Sequence, residues 1–211
     1  MKSFFELDGP FMTILSRMFD LLMLNILTLI CCIPIVTIGP AVTALYYVTL
    51  KMVKGEEGYL FRSYFKSFKD NFKQGMILGV GILLINGIMI MDYHIVSQYE
   101  FEGGIIILFL ITILGVIFFM GTIFVFPLLA RFENTIKGTL KNSFVLFIAQ
   151  GPRAILIVIY YMGLPIFILG FATYLIPILL MYGIALPAYL SSISIVKIFA
   201  KIQSNTENKE E

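Results

Sequence analysis

The chain has 211 residues, 59% of them hydrophobic and 13% charged, with a mean hydropathy of +0.95 and a formal net charge of +2. A soluble domain carries about 25% charged residues, so a water-soluble globule is excluded and a polytopic membrane protein is indicated. The length suits roughly five to seven spans of about 20 residues each, in a single all-α domain.

Residues 3–19 form an amphipathic lead-in with Phe4, Phe5, Phe11, Ile14, Leu15, Met18 and Phe19 on its apolar side. Gly9-Pro10 divides it, and a helix is expected to start at Pro10, a first-turn position that proline tolerates. Glu6 and Asp8 come early and no small-residue cleavage pattern follows, so a cleaved signal peptide is not expected. Arg17 and Asp20 stand three apart and can pair on a helix.

Leu21–Leu50 holds no charged residue. Residues 21–53 are expected to form a broken hydrophobic hairpin. The candidate membrane break carries Pro34, Thr37, Gly39 and Pro40, because each proline removes an amide donor and clashes with the preceding turn. Freed backbone groups there need partners that lipid does not offer, and Asn25 and Thr37 are the candidates. A plain short loop between two spans is the alternative. Each arm is short: 14 residues cover about 21 Å of a hydrocarbon core about 30 Å thick. Either the lead-in lengthens the first arm or the hairpin is re-entrant. Cys31 and Cys32 are adjacent, without metal-ligand spacing, and read as small buried hydrophobes.

Residues 58–74 form an expected inner-face helix. Phe61, Phe65, Phe68 and Phe72 recur at helical spacing, with Arg62, Lys66, Lys69 and Lys73 off that face. Such a helix lies at headgroups, packs on its own spans or docks a partner. A second hairpin is expected over 75–130, with a Gly75–Gly79 GxxxG pair, Asn86 as a mid-span cross-link to another helix, and a kink at Pro127. Residues 131–150 form a second inner-face helix, with Phe132, Ile136, Leu140 and Phe144 on one face and Glu133–Lys137 as an i,i+4 pair. A third hairpin is expected over 152–200, bent by Pro177 and Pro187. The polar tail 203–211 is expected to be disordered.

All fifteen basic residues fall at the N-terminus, in 51–73, in 131–153 or at the C-terminus. The loop 92–104 is acidic instead. By the positive-inside rule both termini and the basic segments are cytoplasmic and 92–104 faces out. The expected architecture is therefore an all-α membrane bundle in the cell membrane, with about six membrane segments plus amphipathic cytoplasmic-face helices.

The chain resembles the YesL family of bacterial membrane proteins. The resemblance is carried by Asn25; Pro34, Thr37, Ile38, Gly39 and Pro40 with Ala44, Leu45 and Tyr46; Phe65, Phe68 and Asn71 to Gly75; Pro127, Leu128, Ala130, Arg131 and Phe132; and Leu140, Lys141 and Asn142. The domain of that family has no assigned function. Its members are often encoded beside binding-protein-dependent sugar importers, which implies a role in carbohydrate uptake or its control.

No catalytic, cofactor-binding or metal-binding residue is expected. The chain lacks a phosphate-cradling GxxxxGK[ST], an HExxH, a CxxC and a GxSxG. His94, the single histidine, reads as an interfacial residue without triad or metal partners. No span carries a charge at its middle, which disfavours ion-coupled transport. The expected function is a non-catalytic accessory or assembly subunit for ABC-type carbohydrate uptake. An autonomous transporter or channel and a membrane-bound regulator are the alternatives. The expected partners are the bilayer and ABC sugar-importer permease subunits, with no nucleic acid; the oligomeric state is left open.

Overall fold

The computed structural model describes residues 10–56, 58–98, 104–163 and 181–210. Its helices are α1 (Pro10–Cys31), α2 (Ile38–Lys54), α3 (Leu60–Asp70), α4 (Phe72–Gln98), α5 (Gly104–Thr122), α6 (Val125–Arg131), α7 (Ile136–Ala149), α8 (Gly151–Val158) and α9 (Ala185–Glu210). A short 3-10 turn, Ile35–Thr37, precedes α2, and a π-helical turn, Ile159–Gly163, follows α8. No strand occurs among the described residues.

The bundle is built around α2. Ala41, Ala44 and Leu45 on this helix are fully buried, and α1, α3, α4, α6 and α9 all border it. Small residues on α2 let those neighbours approach closely. α9 runs parallel to it and is joined by hydroxyl pairs: Tyr46 Oη lies 3.3 Å from Ser191 Oγ, and Thr49 Oγ1 lies 2.9 Å from Ser192 Oγ. These four polar groups are buried but satisfied, the condition for keeping them in an apolar interior. Gly55 ends α2 in the left-handed conformation, φ +71°, which glycine adopts without a Cβ penalty.

α4 and α5 are different. Ile90 and Ile105 are 69% and 81% exposed, and exposed apolar side chains surround both helices. A helix that is apolar all round belongs in a hydrophobic solvent, so these are membrane helices. By length and composition, the segments Phe11–Cys31, Ile35–Lys54, Phe72–Gln98 and Gly104–Arg131 are long and apolar enough to cross a membrane. The expected count was about six. Of the fifth and sixth segments, 152–163 is described as α8 with its π-helical turn and 181–198 leads into α9; 164–180, with Pro177, lies outside the described residues.

Several local expectations are met or corrected. α1 starts at Pro10 as expected. The kink attributed to Pro127 falls at Ile123-Phe124, where α5 gives way to α6. The reason is that a proline ring crowds the carbonyl four residues before it. Glu133 precedes the first turn of α7, so Glu133 and Lys137 are not an i,i+4 pair on one helix. α7 is instead capped by Thr135, whose Oγ1 accepts from Gly138 N at 3.2 Å. Thr139, Ser143 and Leu146 are its buried residues, and the expected row of Phe132, Ile136, Leu140 and Phe144 is half-buried beside them. The small Ser143 permits this, since its hydroxyl donates to the Gly121 carbonyl while the Phe144 ring covers Gly121. The polar tail expected to be disordered continues α9 to Glu210, because neither glycine nor proline follows Pro187.

Candidate functional site

The break lies between Cys31 and Ile38, a shorter stretch than Pro34–Pro40 suggested at its far end. Gly39 and Pro40 already belong to the first turn of α2, where an absent proline N–H costs nothing. The turn satisfies its own backbone. Cys32 N donates to Thr28 O at 2.9 Å, Ile33 N to Ile30 O at 3.2 Å and Thr37 N to Pro34 O at 3.0 Å. Thr37 Oγ1 stands 2.6 Å from Cys31 O and 2.7 Å from Pro34 O, within donating reach of both carbonyls. Thr37 thus takes the role expected of it. Asn25 does not.

Asn25 is buried on α1 and points at the other end of the chain. Its Oδ1 accepts from the backbone N–H groups of Ile184 and Ala185, each at 2.9 Å. It therefore caps the start of α9 from a different helix, covering donors that would otherwise be orphaned. Nothing in local spacing signals such a contact across 159 residues. The cross-link between helices expected of Asn86 does not form. Asn86 instead donates from Nδ2 to Ile82 O of its own helix at 2.8 Å, as the nearest acceptor one turn back.

The GxxxG pair packs on the first turn of α2, just past the break. A Cβ placed on Gly39 would overlap the Gly75 carbonyl. One placed on Gly75 would come 2.9 Å from Pro40 N, and one on Gly79 would come 2.8 Å from Gly39 Cα. Three glycines thus let the backbones of α2 and α4 touch, as small residues do where membrane helices cross.

α3 divides its aromatic face between two duties. Tyr64 and Ser67 are buried, with Leu60 and Phe68 packed at the core's edge. Burial pushes the Tyr64 phenol above its usual pKa, so it stays protonated and donates to the Ala41 carbonyl, 3.3 Å away. The Phe68 ring stacks on Tyr64 at 6.4 Å between centroids and meets Phe72 edge-on at 5.6 Å. Phe61, Phe65 and Phe72 remain 53%, 46% and 37% exposed, beside exposed Arg62, Lys66, Lys69 and Lys73. The sequence groups four phenylalanines on one face; the structure keeps three for an external surface and turns Phe68 inward.

One feature was not legible in the sequence. A groove of about 560 Å³ lies between α7, the α6–α7 loop and α9, with Leu128, Phe132 and Leu146 at its base and Glu133, Asn134, Asn142 and Lys201 around it. Phe132 is fixed there by Phe199 of α9, edge-on at 5.1 Å. Among the described residues no group of three or more His, Cys, Asp or Glu side chains is placed to hold a metal ion.

Comparison with known proteins gives two findings. Residues 21–93, which contain the break, α3 and most of α4, match the model of a family described as protein of unknown function, DUF624. Over 113 residues the chain is 29% identical to "Uncharacterized protein YteU" of Bacillus subtilis (strain 168). That alignment covers 53% of this chain and 50% of the relative, so the chain spans about half the length of the curated relative it matches. Both findings fit a family of uncharacterised proteins like the one the sequence resembles. No solved structure matches.

Proposed function

We propose that this protein is a non-catalytic membrane subunit that assembles with an ABC-type carbohydrate importer, with α3 on the cytoplasmic side of the cell membrane. The observation that carries the reading is the external face of α3. Its own packing is done by Leu60, Tyr64, Ser67 and Phe68, which leaves Phe61 and Phe65 outward beside Arg62 and Lys66. Aromatic and arginine side chains are enriched at the anchoring positions of protein interfaces. The link to sugar uptake comes from the family resemblance. An autonomous transporter, the alternative, would need the break as its solute site. With Thr37 already on the carbonyls of Cys31 and Pro34, the break offers little to a solute, so the subunit reading is preferred.

Purification of the full chain from its native membrane tests this. A stoichiometric importer permease in the wild-type sample, lost from Phe61→Ala/Phe65→Ala together with sugar-dependent growth, supports docking. A well-folded, abundant double variant that keeps its companion and its growth phenotype rules out docking through α3.

A further inference from the structure

The relation of α2 to the α4–α6 pair decides how deep the first hairpin goes. Leu78 of α4 packs with Val125 and Leu129 of α6, so Gly75–Gly79 and Leu129–Arg131 stand at about the same height on that antiparallel pair. The stretches of α2 that they face are nevertheless far apart. Gly75 and Gly79 meet Gly39 and Pro40, whereas Ala130 and Arg131 share a pocket with Tyr47, Leu50 and Lys51. The two places are separated by about 10–18 Å along α2 at 1.5 Å per residue. A helix running alongside the pair would not shift so far at constant height. α2 therefore lies across the pair.

Charge agrees with this placement. Lys51 and Lys54 mark the C-terminal end of α2. Lys73 precedes by two residues the glycine that touches the N-terminal end of α2. Basic residues thus flank both ends of one helix. Were α2 to cross the bilayer, one of those sets would sit at the far face, against the positive-inside rule. The turn itself is apolar outside and closed inside. Ile33, Ile35 and Val36 are exposed, while the backbone bonds described above cover its polar groups. That combination suits hydrocarbon, where an irregular backbone survives only if its groups are satisfied.

We propose that the α1–α2 hairpin does not cross the bilayer. It docks among the acyl chains of the leaflet at which α4 enters, while Lys51 and Lys54 at the α2 C-terminus and Lys73 at the start of α4 meet anionic headgroups of that leaflet. Full membrane crossing is left, among the described helices of this half of the chain, to the α4–α5 pair. The proposal rests on α4–α5 spanning the membrane, and it is independent of any importer.

The full chain, with Cys31 and Cys32 replaced by alanine, is expressed in cells carrying one of three probes: Ile35→Cys, Lys66→Cys or Gln98→Cys. A membrane-impermeant maleimide is then applied before and after permeabilisation. The expected result is labelling of Gln98→Cys on intact cells, of Lys66→Cys only after permeabilisation, and no labelling of Ile35→Cys on intact cells. Labelling of Ile35→Cys on intact cells alongside Gln98→Cys overturns the proposal. If Gln98→Cys and Lys66→Cys label from one side, α4 does not span and the proposal falls with that premise. Loss of an importer partner in the α3 variants would not alter any of these results.

Discussion

Gly39 and Gly75 meet backbone to backbone, with no room for a Cβ on the former that does not overlap the carbonyl of the latter. This contact ties the break, the centre of the bundle and the start of α4 into one joint. It also gives the sharpest stability expectation. Gly39→Ala forces the two helices apart, at a cost of about 1–3 kcal/mol for overpacking a well-fitted site. Gly81→Ala, on the same α4 but with nothing within 4 Å of the new methyl group, serves as its control and should be close to neutral. Thermal unfolding in detergent separates the two. Equal melting temperatures would show that the joint is not tight.

Asn25→Ala removes the acceptor for two N–H groups at the start of α9, Ile184 N and Ala185 N. The expected cost is about 0.5–2 kcal/mol, the usual range for a lost helix cap. Asn25→Asp keeps an acceptor oxygen and should recover most of it. Asn86→Leu loses only a bond within its own helix and should change little. Hydrogen exchange at residues 184–188 reports the cap directly. A larger effect at Asn86 than at Asn25 would contradict this assignment.

The aromatic face of α3 should split in the same way. Phe68→Ala removes a ring packed against Tyr64 and the core, so it should destabilise by about 2 kcal/mol, below the range for a fully buried phenylalanine. Phe61→Ala and Phe65→Ala remove exposed rings and should leave the melting temperature nearly unchanged. Parallel melting curves for the three variants make the comparison. Equal losses in all three would mean that the outer face is also part of the fold.

Thr37→Val keeps the shape of the break but leaves the carbonyls of Cys31 and Pro34 without their hydroxyl. The loss should be about 1–3 kcal/mol, the cost of an unsatisfied polar group. Thr37→Ser should restore it. Detergent stability of the pair is the measurement; a stable Thr37→Val would show that water reaches the turn.

Much of this molecule is decided by composition and short-range order. Uncharged apolar runs have no stable place in water, so membrane residence and an all-helical fold follow from the sequence. Gly9-Pro10 sets the start of α1, and Pro34 marks the break, because backbone geometry and a missing donor act within one turn. The side-chain division on α3 is only half legible. Periodicity puts four phenylalanines on one face, but whether α2 or the surroundings cover each ring depends on how far α3 is turned. The remaining decisions are long-range. Asn25 and Asn86 look alike in sequence, each an amide in an apolar run, yet one caps a helix 159 residues away and the other bonds its own turn. Gly39 gains its partner only when α4 folds back across α2. Such contacts join positions whose separation along the chain carries no periodic signal, so only tertiary packing selects them.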